Sequence, residues 1–259
     1  MKENIITVIG SLNYDILFKQ KRLAQKGETI TADSVTFASG GKGANQAVQC
    51  AKLGVQTYLV GAVGKDAFGE YLIEQLRKYG VNTDYIQITG ENTGIGVNNI
   101  MPDGSLIATI STGANFTIGK QRIDEVEPLL ARSKIVVLQM EIPNSVVEYA
   151  IMKAKTNGCF IILNAAPAKP ISDQALSAVD CLVLNEPEAS FYSGASIKDL
   201  ESAEQNCEKL FTKIRKLLII TLGENGSLLY DGKTKIHIKA KKVSVIETTG
   251  AGDSYIGAL

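Results

Sequence analysis

Short apolar runs alternating with longer amphipathic segments predict an α/β fold. The expected form is a doubly wound, mostly parallel sheet with helices on both faces, plus a small β-sheet lid. Three observations carry this. Six short runs are nearly continuous in apolar residues, as strands covered on both faces should be. The segments between them place apolar residues at helical spacing, with start and stop signals. Two further stretches alternate apolar and polar residues, the pattern of strands with one wet face.

The first strand is read at residues 5–9, IITVI. A helix follows with Ala44, Ala47, Val48 and Ala51 on one face and Gly54 past its end. Residues 57–62 are the next strand; Asp66 then caps a helix that turns Phe68, Leu72 and Leu76 inward before Gly80. After strand 135–138, Asn144 is the expected cap of a helix with Val147, Ala150, Ile151 and Ala154 inward and Gly158 after it. Strands at 160–163 and 181–184, a helix carrying Leu200, Ala203, Cys207 and Leu210, and a strand at 217–221 complete the rhythm. The whole chain, residues 1–259, reads as a single α/β domain. Its lid is expected from about 14–37 and 84–110, with strands at Ile30 to Phe37, Ile86 to Ile88 and Leu106 to Ile110. A phase slip at Asp33-Ser34 suggests a bulge.

Composition excludes several classes of function. Lys plus Arg is 27 and Asp plus Glu is 27, so the balanced charge leaves no footprint for nucleic acid or an anionic membrane. The single histidine, His237, rules out a multi-His metal site and is read as structural, on a late strand. No G-x-S-x-G elbow accompanies it. Cys50, Cys159, Cys181 and Cys207 form no C-x-x-C pair, and each lies in an apolar stretch, which fits buried thiols in a reducing compartment. The N-terminal apolar run is too short for a signal peptide, and no run reaches the ~18 residues of a membrane span. The expectation is a cytoplasmic protein.

Three motifs carry chemistry. Gly40, Gly41, Lys42, Gly43, Ala44 and Asn45 lead from a glycine-rich turn into a helix, where free N–H groups and a cation suit a polyhydroxy ligand or a phosphate. The spacing is not that of a Walker A loop. Thr249, Gly250, Ala251, Gly252 and Asp253 follow an apolar strand-like run. Their N–H groups suit an anion hole, and Asp253 stands beside it as a candidate base. Gly10 to Asp15 ends the first strand, where Asn13 and Asp15 suit sugar hydroxyls; no G-x-G-x-x-G supports a dinucleotide. Glu141, Asn185, Glu188 and the segment from Thr221 end other strands on the same edge.

GGKGANQA at Gly40 to Ala47 and TTGAGDSYIGA at Thr248 to Ala258 resemble the two signatures of the PfkB-type carbohydrate kinases. The long first form is that of the ribokinase group. GSLNYD, GET, GAN, NAAPA, NEPEA and TLGENG occur between them in family order. The resemblance implies ATP-dependent phosphorylation of D-ribose at the 5-hydroxyl. Asn13, Tyr14, Asp15, Gly41, Lys42, Gly43, Ala44, Asn45 and Glu141 would hold the sugar. Asp253 would be the base, and Gly250, Ala251 and Gly252 the anion hole. Asn185, Thr221, Leu222, Gly223, Glu224, Asn225, Gly226 and Gly252 would serve ATP. Glu188 would help place magnesium or another divalent cation, and Glu247 and Thr249 a monovalent cation, usually potassium. A homodimer through the lid is also implied.

Three positions depart from the family pattern: Glu247 for the usual Asp, Ala165 for the usual Pro, and an end at Leu259, where relatives continue and complete the adenine pocket. That end suggests a truncated chain. The alternatives are another sugar or nucleoside kinase of the family, or a sugar-binding protein without turnover; a nicotinamide oxidoreductase has the rhythm but no fingerprint.

Overall fold

The computed structural model describes residues 2–103, 105–243 and 249–259. The chain runs through β1 (Glu3–Ile9), β2 (Asn13–Lys19), β3 (Ser34–Gly40), α1 (Lys42–Lys52), β4 (Gln56–Gly64) and α2 (Ala67–Lys78). It continues as β5 (Ile86–Thr89), β6 (Gly94–Ile100), β7 (Leu106–Ser111), α3 (Lys120–Glu125), α4 (Glu127–Arg132) and β8 (Ser133–Gln139). Next come α5 (Asn144–Thr156), β9 (Phe160–Asn164), α6 (Asp173–Leu176), β10 (Cys181–Leu184) and α7 (Glu186–Ser193). Then follow α8 (Leu200–Phe211), β11 (Leu217–Thr221), β12 (Ser227–Tyr230), β13 (Lys235–Ile238) and α9 (Ala251–Gly257).

Nine strands make the main sheet, in the order β13-β12-β11-β10-β9-β8-β1-β4-β5. Pairing is parallel from β11 to β5, and β12 and β13 close one edge antiparallel. The continuous apolar runs have a simple cause: successive side chains face opposite sides, and both sides are covered. Ile5 and Ile9 pack into one core layer with α4, α5 and α8, and Val8 into the other with α1, α2 and α9. The four cysteines are free and buried. Among the described residues no helix is long and apolar enough to cross a membrane.

Several readings change. Asp66 caps α2 by accepting from the Gly69 N–H at 2.8 Å, but Asn144 is already helical: Pro143 stands before it, and Asn144 instead donates to the Pro170 carbonyl. Phe68, expected inward, lies at the surface of α2. The lid is a separate sheet in the order β3-β2-β6-β7, built from Asn13 to Gly40 and Gly94 to Ser111. The segment at Ile86 to Ile88 is not part of it. That segment is the edge strand of the main sheet, with Ile86 buried and Ile88 exposed. An edge strand also has one wet face, so alternation alone does not separate it from a lid strand. Ile30 and Ala32 precede β3 without joining it, and β2 pairs with β3 in unbroken register from Asn13–Gly40 to Lys19–Ser34. The expected bulge is absent because the slip lies in the connection. His237 is on β13, as read.

Strand order reverses at β1, which lies between β4 and β8. A crevice forms outside the carboxyl ends of parallel strands at such a switch point. The chain leaves β1 there, enters the lid, and returns through Gly40 to α1. The start of α1 is pressed onto the end of β1: a Cβ at Gly43 would stand 2.6 Å from the Gly10 carbonyl carbon and 2.7 Å from the Ser11 nitrogen. Both are backbone atoms, so little can yield. Gly43→Ala is expected to cost about 1–3 kcal/mol, roughly 3–10 °C in Tm, in thermal unfolding. An unchanged midpoint would contradict this account of the packing.

Candidate active site

The site begins with the turn from β3 into α1. Gly41 has φ +91°, and a Cβ there would meet the Ser11, Leu12 and Asn13 backbone within 2.8 Å, so only glycine fits. The Ala44 N–H donates to the Ser11 carbonyl at 3.0 Å and ties α1 to the loop after β1. Glu141, just after β8, accepts through Oε2 from the Ser11 hydroxyl and from the Lys42 N–H at 3.2 Å. Asn13 is buried at the start of β2. Asn115 donates to its Oδ1 at 2.8 Å while exchanging hydrogen bonds with the Leu12 backbone, so Nδ2 is the donor end that Asn13 keeps.

Alternation along β2 puts Asn13 and Asp15 on one face of the lid and Tyr14 on the other. Tyr14 stacks on Phe68 at 4.4 Å and meets Tyr71 and Phe37, so it joins the lid to α2 and does not face the site. Asp15 stands across from Gly96 on β6, where any Cβ would come within 2.3 Å of its Oδ1. Burial, with added repulsion from the Glu141 and Asp253 carboxylates, pushes Asp15 up to about 6.

Asp253 is buried in the first turn of α9. Its Oδ2 accepts from Asn45 Nδ2 at 3.0 Å and its Oδ1 from Gln46 Nε2 at 2.9 Å. Both amides come from α1. The first α9 backbone bond runs from Ser254 N–H to the Gly250 carbonyl at 2.8 Å. The N–H groups of Ala251, Gly252 and Asp253 precede it, the position of orphan donors in a first turn.

Two cavities meet at Gly250. One, of about 220 Å³, is lined by Lys42, Asn185, Glu188, Thr221, Gly252 and Asp253, among others. The other, of about 400 Å³, lies under the lid, against Asp15, Thr36, Ser39, Asn45, Thr249 and Ser254. Asn45 and Asp253, hydrogen-bonded to each other, therefore stand between them. Glu188 closes a capping box on α7, accepting from the Asn185 N–H through Oε2 at 2.9 Å. Burial raises its pKa, against the Asn185 hydrogen bond and the Lys42 charge. One carboxylate oxygen stays uncommitted to the cap. Among the described residues no three His, Cys, Asp or Glu are grouped to hold a metal by themselves. Such a site suits a hard divalent ion held mainly by water and phosphate oxygens.

The other readings divide. Asn13, Asp15, Gly41, Asn45, Glu141, Gly250, Gly252 and Asp253 gather at one edge of the sheet. Lys42, read for the sugar, lines the cavity of Asn185 and Glu188 instead. Gly43 and Ala44 are buried against the loop after β1. Thr221 lines the first cavity, but Leu222 is a core residue, and Gly223 to Asn225 form a short 3₁₀ turn leading through Gly226 to β12. Thr249 lies exposed at the rim of the second cavity, and Glu247 lies outside the described residues. Sequence reasoning missed Gln46, Asn115, Gln139 and Asn164. Gln46, Asn115 and Asn164 lie inside the GGKGANQA, GAN and NAAPA segments but carry no role in that reading, and Gln139 ends the apolar strand β8.

The profile of the "pfkB family carbohydrate kinase" family matches residues 4–259. The ribokinase of Haemophilus influenzae is 34% identical over 254 residues, 97% of this chain and 83% of that protein. A deoxyribokinase of Salmonella typhi is 32% identical, also over 97% of this chain and 83% of its own length. The structure of Arabidopsis thaliana ribokinase complexed with ribose and ATP superposes with a TM-score of 0.91 at 34% identity, covering 100% of this chain and 85% of that one.

The linkage of Asp15 gives a pH test. Its folded-state value lies above the unfolded one, near 3.8. The carboxyl therefore favours folding below pH ~4, and that contribution is lost as pH rises through about 6. Asp15→Asn, neutral at every pH, is expected to raise Tm over wild type at pH 7.5 and to lose that advantage at pH 4. Equal offsets at both pH values would contradict the assignment.

Proposed function

The chain belongs to the pfkB family of carbohydrate kinases, and we propose that its reaction is ATP-dependent phosphorylation of D-ribose at the 5-hydroxyl. It is a phosphotransferase acting on a sugar hydroxyl. The observation that carries the reading is Asp253: a buried carboxylate in the first turn of α9, between two cavities, with both oxygens held by amides from α1. The Arabidopsis thaliana ribokinase complexed with ribose and ATP, which has the same fold, supports the pair of substrates.

The sugar takes the cavity under the lid, with Asp15 and Asn45 on its hydroxyls and Asn13 and Glu141 behind them. The triphosphate takes the cavity of Lys42, Asn185, Glu188 and Thr221. Bound ATP supplies the phosphoryl group, and a divalent cation, when bound, would neutralise charge on its phosphates. Asp253 accepts the proton of the 5-hydroxyl as that oxygen bonds to the γ-phosphorus and the bond from that phosphorus to the bridging oxygen breaks, so that ADP leaves with the electron pair. The N–H groups at the start of α9 stabilise the negative charge that develops, in a place where few waters compete. Lys42 adds a positive charge on the phosphate side, and Glu188, through the oxygen not used in its helix cap, would help hold the divalent cation.

Other features belong to the same reading. The lid leaves Val35, Phe37 and Ile107 exposed, an apolar face that a second copy would cover in a homodimer. Four buried free thiols fit the cytoplasm. A monovalent cation, potassium in the family pattern, would order the anion hole beside Thr249.

Asp253→Asn is expected to lower kcat by about 10²–10⁴, the usual worth of a positioned general base, with a much smaller change in sugar KM. Near-normal turnover would remove Asp253 from the base role. For the cation, Glu247 carries one methylene more than Asp, about 1.5 Å of reach. The wild type is expected to show monovalent-cation activation with blunted potassium preference, and Glu247→Asp to sharpen it. Assays in sodium, potassium and caesium salts at constant ionic strength measure this. Equal rates in every salt and in none would end the cation proposal.

A further inference from the structure

Behind Asp253 lies a chain of buried amides that the reaction itself does not use. Gln46 is fully buried in α1 and touches neither cavity. Its Nε2 donates to Asp253 Oδ1 at 2.9 Å and to Asn164 Oδ1 at 3.2 Å. Its Oε1 accepts from Gln139 Nε2 at 2.7 Å. Gln139 is also fully buried, at the end of β8, and its own Oε1 has no hydrogen-bond partner. Asn164, at the end of β9, donates to the Val183 carbonyl at 3.4 Å.

A primary amide is a donor at one end and an acceptor at the other. Gln139 presents a donor, so the oxygen of Gln46 turns to it and the nitrogen must face Asp253 and Asn164. The reverse orientation would set the Gln46 oxygen against the carboxylate and leave two nitrogens facing each other. The unpartnered Gln139 oxygen is then the consequence of using the nitrogen of that amide to fix Gln46. Buried polar groups are normally satisfied, so an exception at this place calls for such a reason.

The two oxygens of Asp253 are thereby unequal. Oδ1 is held by a residue that no solvent or substrate reaches. Oδ2 is held by Asn45, which lines the cavity under the lid and can exchange its partner for a ligand hydroxyl. We propose that Gln46, oriented by Gln139, is a positioning residue that anchors Oδ1 of Asp253 and so assigns proton abstraction to Oδ2. This rests on the reading of Asp253 as the base. The anchor fixes the rotamer of the carboxylate from behind while its front oxygen trades Asn45 for the sugar. Misplacing a reacting group by 1 Å can cost about 10²-fold in rate.

The test is a double-mutant cycle on the full chain, with initial rates measured against ribose and ATP. Gln46→Met keeps the length and apolar stem and removes the donor. It is expected to lower kcat by about 10–100-fold while sugar KM changes less than about threefold. In an Asp253→Asn background the same change is expected to lower kcat by less than about twofold, because the group it positions is gone. Gln139→Met, one step further back, is expected to give a smaller kcat loss of the same kind and serves as the readout if Gln46→Met does not fold. Full activity in folded Gln46→Met, or an equal loss with and without Asp253, would overturn the positioning role even if Asp253→Asn itself is inactive. An active Asp253→Asn would instead overturn the base assignment beneath it.

Discussion

The packing of α9 on α1 is the contact on which the site depends. A Cβ at Gly257 would stand 2.6 Å from Gln49 Cβ and 2.7 Å from the Gln46 carbonyl oxygen, so the two helices approach as closely as backbones allow. At that distance two consecutive α1 side chains, Asn45 and Gln46, reach one carboxylate on α9. The same α1 is fixed at its start by the end of β1, through Gly43 and the Ala44–Ser11 hydrogen bond. One helix therefore carries the geometry of the central sheet to Asp253. The lid is anchored at the same place, since β3 ends where α1 begins.

Charge is arranged around this frame under strain. Asp15, Glu141 and Asp253 face one crevice, and burial makes three negative charges there costly. Burial first, and the Glu141 and Asp253 carboxylates next, push the Asp15 pKa up to about 6. A polyhydroxy ligand relieves that cost, because hydroxyl donors replace the water that the carboxylates lack. Across Gly250, Lys42 and Glu188 line one cavity, so the first cavity combines a cation with an acid already partly committed to its helix cap. Both cavities pair acids with a lysine: Asp15 and Lys52 line the one under the lid, and Glu188, Asp253 and Lys42 the other.

Much of this was legible in the sequence. The doubly covered strands show as unbroken apolar runs because both faces of β1, β8, β9, β10 and β11 meet helices. The glycine-rich starts of α1 and α9 show because a Cβ at Gly41 or Gly43 would meet backbone atoms within 3 Å and because Gly41 and Gly250 take positive φ. What escaped was of three kinds. β12 and β13 have four residues each; β12 is apolar and buried but follows β11 after a short turn, and β13 is largely exposed and lacks the apolar signature of the strands beside it. The edge strand β5 and the lid strands share one alternating pattern, so only pairing separates them. Tyr14 lies between two site residues in sequence, yet the period of two turns it to the opposite face. The buried amides were the main omission at the site: Gln46 stands beside the Ala44 and Ala47 stripe, and nothing in a helical pattern says whether such a residue is buried or bordering solvent.

The central claim is that this crevice transfers a phosphoryl group from ATP to the 5-hydroxyl of ribose. The most direct measurement is to incubate the protein with ATP and carbon-13-labelled D-ribose or 2-deoxy-D-ribose, and to read the product by phosphorus and carbon NMR. The account predicts one ADP per sugar phosphate, coupling of phosphorus to C5, and faster turnover of ribose than of the deoxy sugar. Phosphate on C1, equal or faster turnover of 2-deoxyribose, or ADP release without a sugar phosphate would contradict it.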